Sequence, residues 1–357
     1  MVDIQRFPKI SNSSLKPWNA SDELMIQYLS SRDLHAERIL IYNDSFGFLS
    51  LWYHSNQPTS VVNLKSSQEA IRFNEKKNNL VHGTVLFPLQ LKQDNKYSLA
   101  LLKIPKSIDL FELYLQEIHR NITENGEVLC GFMTKYFTKQ WLIVAQKYFE
   151  EIEQTKAQKK ARLLVLKNKK TNANVAQPIV EIEYKGLVFK QYYGVFSRKH
   201  IDYATQFLLE HIALKENEAN VLDLASGNGV IARVLLEKYP KIKVQLIDDS
   251  YLAIASSKMN LSPYKATFIH HYNLESIEPN SLDLVISNPP FHFEYEKDIS
   301  VALSMFAEVH QCLKKGGRFI MVANRNLPYK KNLQKIFSYV GIKAENTKFI
   351  LYECSKS

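Results

Sequence analysis

Asn288-Pro289-Pro290-Phe291 combines residue types that can bind a planar exocyclic amine. The apolar run before it, residues 282–287, predicts a buried strand, and two consecutive prolines then end the ladder and fix the backbone. The Asn288 side-chain oxygen and the Pro289 carbonyl can accept hydrogen bonds from the two N–H groups of an amine. Phe291 can stack on the base plane. This arrangement directs the nitrogen lone pair toward a methyl donor, so the run predicts N-methylation of a base amino group.

A second motif, residues 221–229, begins 67 residues before Asn288 and has the sequence of a strand that enters a glycine-rich turn. Gly227 and Gly229 would let the backbone approach a ligand closely, because a Cβ atom would block that approach. Asp223, late in the strand, could hold the turn or the amino group of a cofactor. The motif therefore predicts a cofactor site at the end of the strand.

Two polar residues follow the next two predicted strands. Asp248 ends the second strand, where a carboxylate can accept hydrogen bonds from both hydroxyls of a ribose. Asn273, just past the third strand, is placed to contact an adenine. Together with the glycine turn, these residues predict a nucleoside cofactor.

Each of these signals also has a simpler structural interpretation. A dinucleotide-binding fold begins with the same kind of glycine turn, and Ala225 stands where a further glycine is expected. Asp248 could be a helix N-cap, although Ser250 could take that place, and Asn273 could be a turn residue. The two prolines could form only a rigid turn.

Strands and helices alternate through the C-terminal half, which predicts a mostly parallel sheet with helices on both faces. Ligands of such sheets bind beyond the carboxyl ends of the strands, and every motif above lies at such an end. Gly316-Gly317 is interpreted as the stop of the fourth helix. The predicted strands are 221–224, 244–247, 267–270, 282–287, 318–323 and 348–353, and the predicted helices are 201–214, 230–239, 251–259, 299–313 and 329–339.

The N-terminal half repeats part of this pattern without its chemical groups. Residues 39–47 align without gaps on residues 221–229, and Ile41 then replaces Asp223. In the same comparison Pro105 matches Pro289 and Ile104 stands where Asn288 is expected. We therefore predict a duplicated and inactive first domain over residues 1–174 and a catalytic domain over residues 175–357.

The net charge of +10 indicates a polyanionic partner, for which nucleic acid is the usual candidate. Residues 156–170 contain no acid and are placed between the two halves, and we place the domain linker in the polar stretch 168–177, which overlaps their end. The run could be only a solvated surface, but phosphate binding is the favoured interpretation beside a base-amine methyltransferase. The candidate RNA contacts in it are Lys156, Lys159, Lys160 and Arg162.

Three separated cysteines give neither a disulfide framework nor metal-ligand spacing. The N-terminus has no apolar stretch of the kind found in a signal peptide. No apolar run approaches the ~20 residues needed to cross a bilayer. We therefore expect a cytoplasmic protein with no metal site and no membrane partner.

Several runs of the chain resemble the bacterial ribosomal RNA guanine-N2 methyltransferases. The shared motifs are residues 194–198 (GVFSR), 223–230, Asp248 with Ser250, and 288–292 (NPPFH). Residues 5–8, 15–23, 43–47, 159–162 and 322–325 resemble the large-subunit type, called type G, within this group. The resemblance extends over nearly the whole chain.

The resemblance implies an α/β protein with two tandem Rossmann-like class I methyltransferase domains, each a mostly parallel seven-stranded sheet, of which the first is degenerate and serves RNA recognition or support. It implies S-adenosyl-L-methionine as donor and the N2 of one guanine in 23S rRNA as acceptor. We expect protein-free rRNA as the substrate and a monomeric enzyme. The residues matched for the acceptor are Asn288, Pro289 and Phe291. Those matched for the cofactor are Asp223, Gly227, Gly229, Asp248, Asn273, Phe196 and Arg198. His292 is added to the basic run as a candidate RNA contact.

Three alternatives stay open. The small-subunit type, type C, shares the C-terminal motifs and would methylate a guanine in 16S rRNA. Adenine-N6 and glutamine-N5 methyltransferases also use Asn-Pro-Pro, but generally with tyrosine in the place of Phe291. An RNA-binding or ribosome-assembly module with incidental methyl transfer is the non-enzymatic alternative.

Overall fold

The computed structural model describes residues 2–7, 15–94, 96–173, 175–289, 299–327 and 329–357. The chain divides into two compact units, Met1–Pro178 and Ile179–Ser357. This division lies four residues beyond the end of the first predicted domain, at residue 174.

The N-terminal unit contains one seven-stranded sheet in the order β3-β2-β1-β4-β5-β7-β6. All neighbours pair in parallel except β7, which is antiparallel to both β5 and β6. The strands are β1 Ile39–Tyr42, β2 Thr59–Val61, β3 Thr84–Leu86, β4 Tyr97–Lys103, β5 Ile122–Met133, β6 Phe149–Gln154 and β7 Ala161–Lys169. The helices are α1 Ala20–Leu29, α2 Phe48–Trp52, α3 Lys65–Lys77, α4 Ile108–Asn121 and α5 Lys139–Ala145.

The C-terminal unit contains a hairpin of β8 Ile179–Tyr184 and β9 Leu187–Tyr192, and a second seven-stranded sheet in the order β12-β11-β10-β13-β14-β16-β15. Its strands are β10 Asn220–Leu224, β11 Lys243–Asp248, β12 Ala266–His270, β13 Leu282–Ser287, β14 Leu313–Asn324, β15 Tyr339–Glu345 and β16 Phe349–Ser355. Its helices are α6 Tyr203–His211, α7 Val230–Lys238, α8 Tyr251–Asn260, α9 Ile299–Cys312 and α10 Tyr329–Leu333. The strand order repeats that of the first sheet, which confirms the prediction of two tandem, mostly parallel seven-stranded sheets.

Alternating side chains of the C-terminal strands face two separate helix layers, as the pleat of a buried parallel sheet requires. Val221 of β10 belongs to a core with residues of α6 and α7. Its neighbour Leu222 belongs to the core on the other face, with residues of α9 and α10. The sheet is therefore buried on both sides, and ligands can reach it only at the ends of its strands.

The predicted ends of α6 and α10 and the predicted stop of α9 are wrong, and α6 ends at His211 instead of at residue 214. Helix α10 ends at Leu333, and Tyr339–Glu345 form the antiparallel edge strand β15, because Gly341 and the aromatic and β-branched residues beside it disfavour a helix. Helix α9 ends at Cys312, so the Gly316-Gly317 pair lies in the irregular start of β14 instead of at the helix end. The β8–β9 hairpin, which turns at Lys185 and Gly186 with positive φ angles, was not predicted.

The strand registers correct the comparison of the two halves. Ile41 of β1 pairs with Leu101 of β4, and Asp223 of β10 pairs with Ile286 of β13. Leu101 therefore corresponds to Ile286, and Lys103 corresponds to Asn288. The match of Ile104 with Asn288, and of Pro105 with Pro289, is wrong by one residue because the connections between these strands differ in length.

The basic run, which the sequence placed between the two halves, lies inside the N-terminal unit. Lys156, Lys159 and Lys160 lie in the connection between β6 and β7, and Arg162 is in β7, one strand from the edge of the N-terminal sheet. Lys159 and Lys160 have φ angles of 47° and 62°, which a tight reversal of the chain requires. The segment that joins the two sheets, residues 170–178 between β7 and β8, overlaps the linker predicted at residues 168–177.

Gly229 and Gly47 occupy the same place in the two units, as the N-caps of α7 and α2 with φ angles of 78° and 83°. A Cβ atom on Gly229 would lie 2.6 Å from the Leu261 Cδ1 atom and 2.9 Å from the Ser257 Cβ atom. A side chain at this position is therefore excluded by both the backbone conformation and the packing of α7 against α8.

We expect Gly229→Ala to lower the free energy of unfolding by roughly 2–5 kcal/mol, since left-handed strain and overpacking add. Gly186→Ala is the matched control, because Gly186 has φ +79° but nothing within 4 Å of a Cβ atom. That control should cost only about 1 kcal/mol. Chemical denaturation of both variants measures the difference, and equal losses would refute the packing role of Gly229.

Candidate active site

The parallel order β12-β11-β10-β13 brings the carboxyl ends of four neighbouring strands to one edge of the C-terminal sheet. The turn at Gly227 follows β10, Asp248 ends β11, Asn273 follows β12 and Asn288 follows β13. Four candidate residues that are far apart in the sequence therefore lie along one sheet edge.

Asp223 is almost completely buried beneath the turn, with an exposed fraction of 1%. Its Oδ2 atom accepts a hydrogen bond from the Ala232 N–H at 3.1 Å. Its Oδ1 atom, like the Ser226 Oγ atom, is buried without a hydrogen-bond partner among the described residues. Burial raises the pKa of Asp223 to about 8. Buried polar atoms normally have partners, so these two atoms mark a place where a polar ligand fits.

Asp248 joins the end of β11 to the glycine turn. It accepts hydrogen bonds from the Gly227 N–H at 2.9 Å and from the Ser250 N–H at 2.8 Å. Burial raises the pKa of Asp248 to about 6, although both backbone hydrogen bonds act in the opposite direction. The Ser250 hydroxyl caps α8 through the Ala253 N–H, as predicted.

The two glycines of the turn differ in their surroundings. A Cβ atom on Gly227 would have nothing within 4 Å, whereas one on Gly229 would collide with Leu261. The open space above Gly227, with the unpartnered atoms of Asp223 and Ser226 nearby in the chain, fits a cofactor with polar groups. The structure gives Gly229 a packing role, and its predicted cofactor contact stays a prediction. Ala225 has φ +58°, a conformation that glycine adopts with less strain.

A buried amide network, which the sequence analysis missed, ties the 194–198 loop to the glycine turn. The Gln191 Oε1 atom accepts from the Asn228 Nδ2 atom at 2.8 Å, and its Nε2 atom donates to the Val195 and Phe196 carbonyls. Asn260 donates in turn to the Asn228 carbonyl at 2.8 Å. Polar amides inside otherwise apolar elements were the available signal for this network.

The network holds the 194–198 loop so that Phe196 is 72% exposed. The Arg198 guanidinium lies over the Tyr193 ring, 4.9 Å from its centroid. The predicted contacts of Phe196 and Arg198 with a cofactor stay predictions.

Asn288 is held by the N-terminal turn of α6. Its Nδ2 atom donates to the Asp202 Oδ2 atom at 3.0 Å and to the Thr205 Oγ1 atom at 2.8 Å. Pro289 is buried. Asp202 and Thr205 were not predicted, since the N-cap position of Asp202 was the only signal. Pro290, Phe291 and His292 lie outside the described residues.

Asn273 occupies a turn three residues past the end of β12. Its Oδ1 atom accepts from the Glu275 N–H at 3.3 Å, and Glu308 accepts from the N–H of the adjacent Leu274 at 2.9 Å. The turn interpretation of Asn273 is thus confirmed, and its contact with an adenine stays a prediction.

In the N-terminal unit an ion pair occupies the place that corresponds to Asn288. Lys103, which corresponds to Asn288, lies 3.0 Å from an Asp22 carboxylate oxygen and 3.9 Å from Asp44. Asp22 and Asp44 are fully buried, and burial raises the pKa of Asp22. Ile41 stands in the place of Asp223, so this unit lacks the carboxylate of the glycine turn as well.

The candidate RNA contacts lie in the N-terminal unit, on a different sheet from the strand edge described above. Lys156, Lys159 and Lys160 are exposed, and Lys159 forms an ion pair with Glu23 at 3.1 Å. The Arg162 Nε atom is buried and has no hydrogen-bond partner within the described part of the chain. No helix among the described residues is long and apolar enough to cross a membrane.

The chain is similar to known methyltransferase families along most of its length. Residues 1–171 match the RLMG N-terminal domain and residues 186–353 match the methyltransferase small domain. Two proteins named ribosomal RNA large subunit methyltransferase G are similar to this chain. The protein of Psychromonas ingrahamii is 30% identical to it, and the match covers 99% of this chain and 96% of that protein. The protein of Photobacterium profundum is 33% identical, with coverages of 99% and 97%.

A solved structure has the same fold over the whole chain. It is the 16S rRNA N2 methyltransferase RsmC of T. thermophilus in complex with AdoMet and guanosine, with a TM-score of 0.79 and 18% identity. The likeness covers 100% of this chain and 98% of that one. It confirms the prediction of tandem class I methyltransferase-like domains.

The raised pKa of Asp223 predicts a pH-dependent loss of stability in the ligand-free protein. The folded pKa, about 8, lies above the unfolded value of 3.8, so the folded state favours the neutral carboxyl. Its stability contribution is fully present below the unfolded pKa and is lost as the pH rises through about 8. Asp223→Asn, which stays neutral, should therefore gain thermal stability relative to wild type as the pH rises from 5.5 to 9.

Asp283→Asn is the control with the opposite sign. Burial raises the pKa of Asp283, but hydrogen bonds from Lys314 and Asn220 outweigh it and lower the pKa overall. This variant should lose stability at pH values above the unfolded carboxyl pKa. Thermal unfolding of the three proteins across the pH series provides the measurement. A stability difference between Asp223→Asn and wild type that does not change with pH would contradict the assignment.

Proposed function

This chain belongs to the ribosomal RNA large subunit methyltransferase G family, and we propose that it transfers a methyl group from S-adenosyl-L-methionine to the exocyclic N2 of a guanine in 23S rRNA. The observation that supports the proposal most strongly is the placement of Asn288 at the end of β13, beside β10 and its open glycine turn. Neighbouring strands thus offer a cofactor site and an amine acceptor site at one edge.

Five residues, together with the predicted contacts at Gly227 and Gly229, are proposed to hold the cofactor, which supplies the methyl group when bound. Asp248 would accept the ribose hydroxyls with the lone pairs that the Gly227 and Ser250 N–H groups leave available. The unpartnered Asp223 Oδ1 atom would accept from the amino group, and Asn273 would contact the adenine. Phe196 and Arg198 would contact the methionine end of the cofactor, and Arg198 would form an ion pair with the carboxylate of that end.

The acceptor is proposed to bind through Asn288 and Pro289. A guanine N2 is a poor nucleophile because its lone pair is delocalised into the ring. The amine would donate hydrogen bonds to the Asn288 Oδ1 atom and to the Pro289 carbonyl. These hydrogen bonds orient the amine and stabilise the positive charge that develops on it. Phe291 would stack on the base and His292 would contact RNA, as the sequence motif predicts.

The substrate is proposed to be protein-free rRNA, bound by a monomeric enzyme in the cytoplasm. A paired guanine cannot reach a site at a sheet edge, so the target base must be unpaired or flipped out. The N-terminal unit would recognise or support the RNA. The hairpin of β6 and β7, called the basic hairpin, would contact phosphates through Lys156, Lys159, Lys160 and Arg162.

Methyl transfer from labelled S-adenosyl-L-methionine to unmodified, deproteinised 23S and 16S rRNA, compared side by side, tests the proposal. We expect N2-methylguanosine in 23S rRNA, and a rate at least about 100-fold lower for Asn288→Ala, whose cofactor affinity should be unchanged. Asn217→Ala, an exposed residue of the same unit, is the control.

Other outcomes of this assay identify which part of the proposal is wrong. Product in 16S rRNA alone would assign the small-subunit activity, and N6-methyladenosine would assign a different acceptor. Activity on intact large subunits but not on free 23S rRNA would contradict a protein-free substrate. Full activity of Asn288→Ala would refute the acceptor site itself.

The basic hairpin predicts salt-dependent RNA binding. Replacing Lys156, Lys159 and Lys160 by glutamine should weaken binding to 23S rRNA about tenfold or more near 0.1 M salt and reduce the salt-dependence slope by about 2. The matched control replaces Lys238, Lys241 and Lys243, which are exposed near the amino end of β11. Titrations at several salt concentrations would contradict the role if both triple variants behaved alike.

A further inference from the structure

We infer that Asp202 and Thr205 are positioning residues that determine which end of the Asn288 amide faces the acceptor amine. The inference rests on the proposed function, in which Asn288 accepts a hydrogen bond from the guanine N2. It concerns two residues of α6 and its N-cap that have no other assigned part in the reaction.

The orientation of the Asn288 amide follows from the chemistry of its partners. The Asp202 Oδ2 atom already accepts hydrogen bonds from the Ala204 N–H at 3.0 Å and the Thr205 N–H at 3.2 Å. A carboxylate oxygen can only accept hydrogen bonds, so the NH2 end of the Asn288 amide must face it. The Thr205 Oγ1 atom, 2.8 Å away, accepts the second N–H of the same amide.

Both hydrogens of the Asn288 NH2 group are therefore used inside the protein. Because an amide is planar, its Oδ1 atom points away from Asp202 and Thr205, and it is the amide atom left to accept from a substrate. If the amide rotated by 180°, its NH2 group would meet the N–H groups of the guanine amine. Two donors would then face each other, and the developing charge would have no acceptor from Asn288.

The N-terminal unit shows that anchoring alone does not require an amide. Its helix α1 buries Ser21, Asp22, Leu24 and Met25, and α6 buries Ala204, Thr205, Phe207 and Leu208 at the same distances from the N-cap. Asp22 thus corresponds to Thr205, and it forms the ion pair with Lys103. A lysine ammonium has only donors, so this pair ties helix to strand without offering an acceptor to a substrate.

Two pairs of variants separate positioning from packing. Thr205→Val keeps the shape but removes the acceptor, whereas Thr205→Ser keeps the hydroxyl and removes a methyl group. We expect Thr205→Val to lower kcat about tenfold or more, with unchanged KM for RNA and unchanged cofactor affinity, while Thr205→Ser retains most of kcat. Asp202→Asn keeps an oxygen of the same reach, and Asp202→Ser caps the helix but is too short, so kcat should fall mainly for the serine variant.

A spectroscopic measurement tests the inference without an RNA substrate. With selective 15N-asparagine labelling, and assignment through Asn288→Ala, the Asn288 side-chain NH2 protons should exchange slowly with solvent in wild type and in Thr205→Ser. They should exchange faster in Thr205→Val. Similar exchange in both threonine variants, or equal loss of kcat, would overturn the inference.

The two proposals fail in distinguishable ways. A wild-type enzyme that methylates no guanine N2 would refute the proposed function, whereas the exchange of the Asn288 protons would still report on the amide. Normal N2 methylation by wild type and by Thr205→Val would refute the positioning role alone. Thermal unfolding of each variant shows whether a change in kcat reflects lost stability, and a kcat loss in Thr205→Val that tracked lost stability would also overturn the inference.

Discussion

The hydrogen bond from the Gly227 N–H to Asp248 joins the turn after β10 to the end of β11, and the rest of the site depends on such pairings of buried and partly buried polar groups. Leaving a buried polar group unpaired costs about 1–3 kcal/mol, so the groups at this edge are fixed wherever the protein supplies partners. Gln191, Asn228 and Asn260 satisfy one another and hold two loops together. The Asp223 Oδ1 and Ser226 Oγ atoms have no such partner within the described chain, which is where a ligand gains most from binding.

Comparison of the two units separates the features that both units retain from those that only the C-terminal unit has. Gly47 and Gly229 begin the corresponding helices with the same left-handed backbone, so this glycine belongs to the scaffold. Asn43 and Ala225 share φ angles near 60° at the corresponding turn position, and this conformation is retained although neither residue is glycine. Ile41 replaces Asp223, and Lys103 replaces Asn288. Two residues with proposed roles in the cofactor and acceptor sites are thus not retained in the N-terminal unit.

The features that depend on the local sequence pattern could be predicted from the sequence. The strand 282–287 is predicted to the residue because an apolar run ends at Asn-Pro-Pro, and the glycine turn has its predicted place. Features that depend on distant pairing could not be predicted. The correspondence of Lys103 with Asn288 requires the strand registers, and the partners of Asn288 lie 83 and 86 residues away in the chain. The basic run was placed between the halves because a hairpin turn and an interdomain segment are both polar, and only the pairing of β7 with β6 distinguishes them.

The raised pKa of Asp248 makes cofactor binding depend on pH. Near pH 6 a substantial fraction of Asp248 carries a proton in the ligand-free protein, since its pKa is about 6. In its proposed role Asp248 accepts two ribose hydroxyls, and hydrogen bonds of that kind favour the ionised carboxylate. Binding must then lower the pKa of Asp248 and release protons at pH values near 6. By the same linkage, cofactor affinity increases as the pH rises through the ligand-free pKa, and the burial that raises this pKa also strengthens the hydrogen bonds formed once the proton has left.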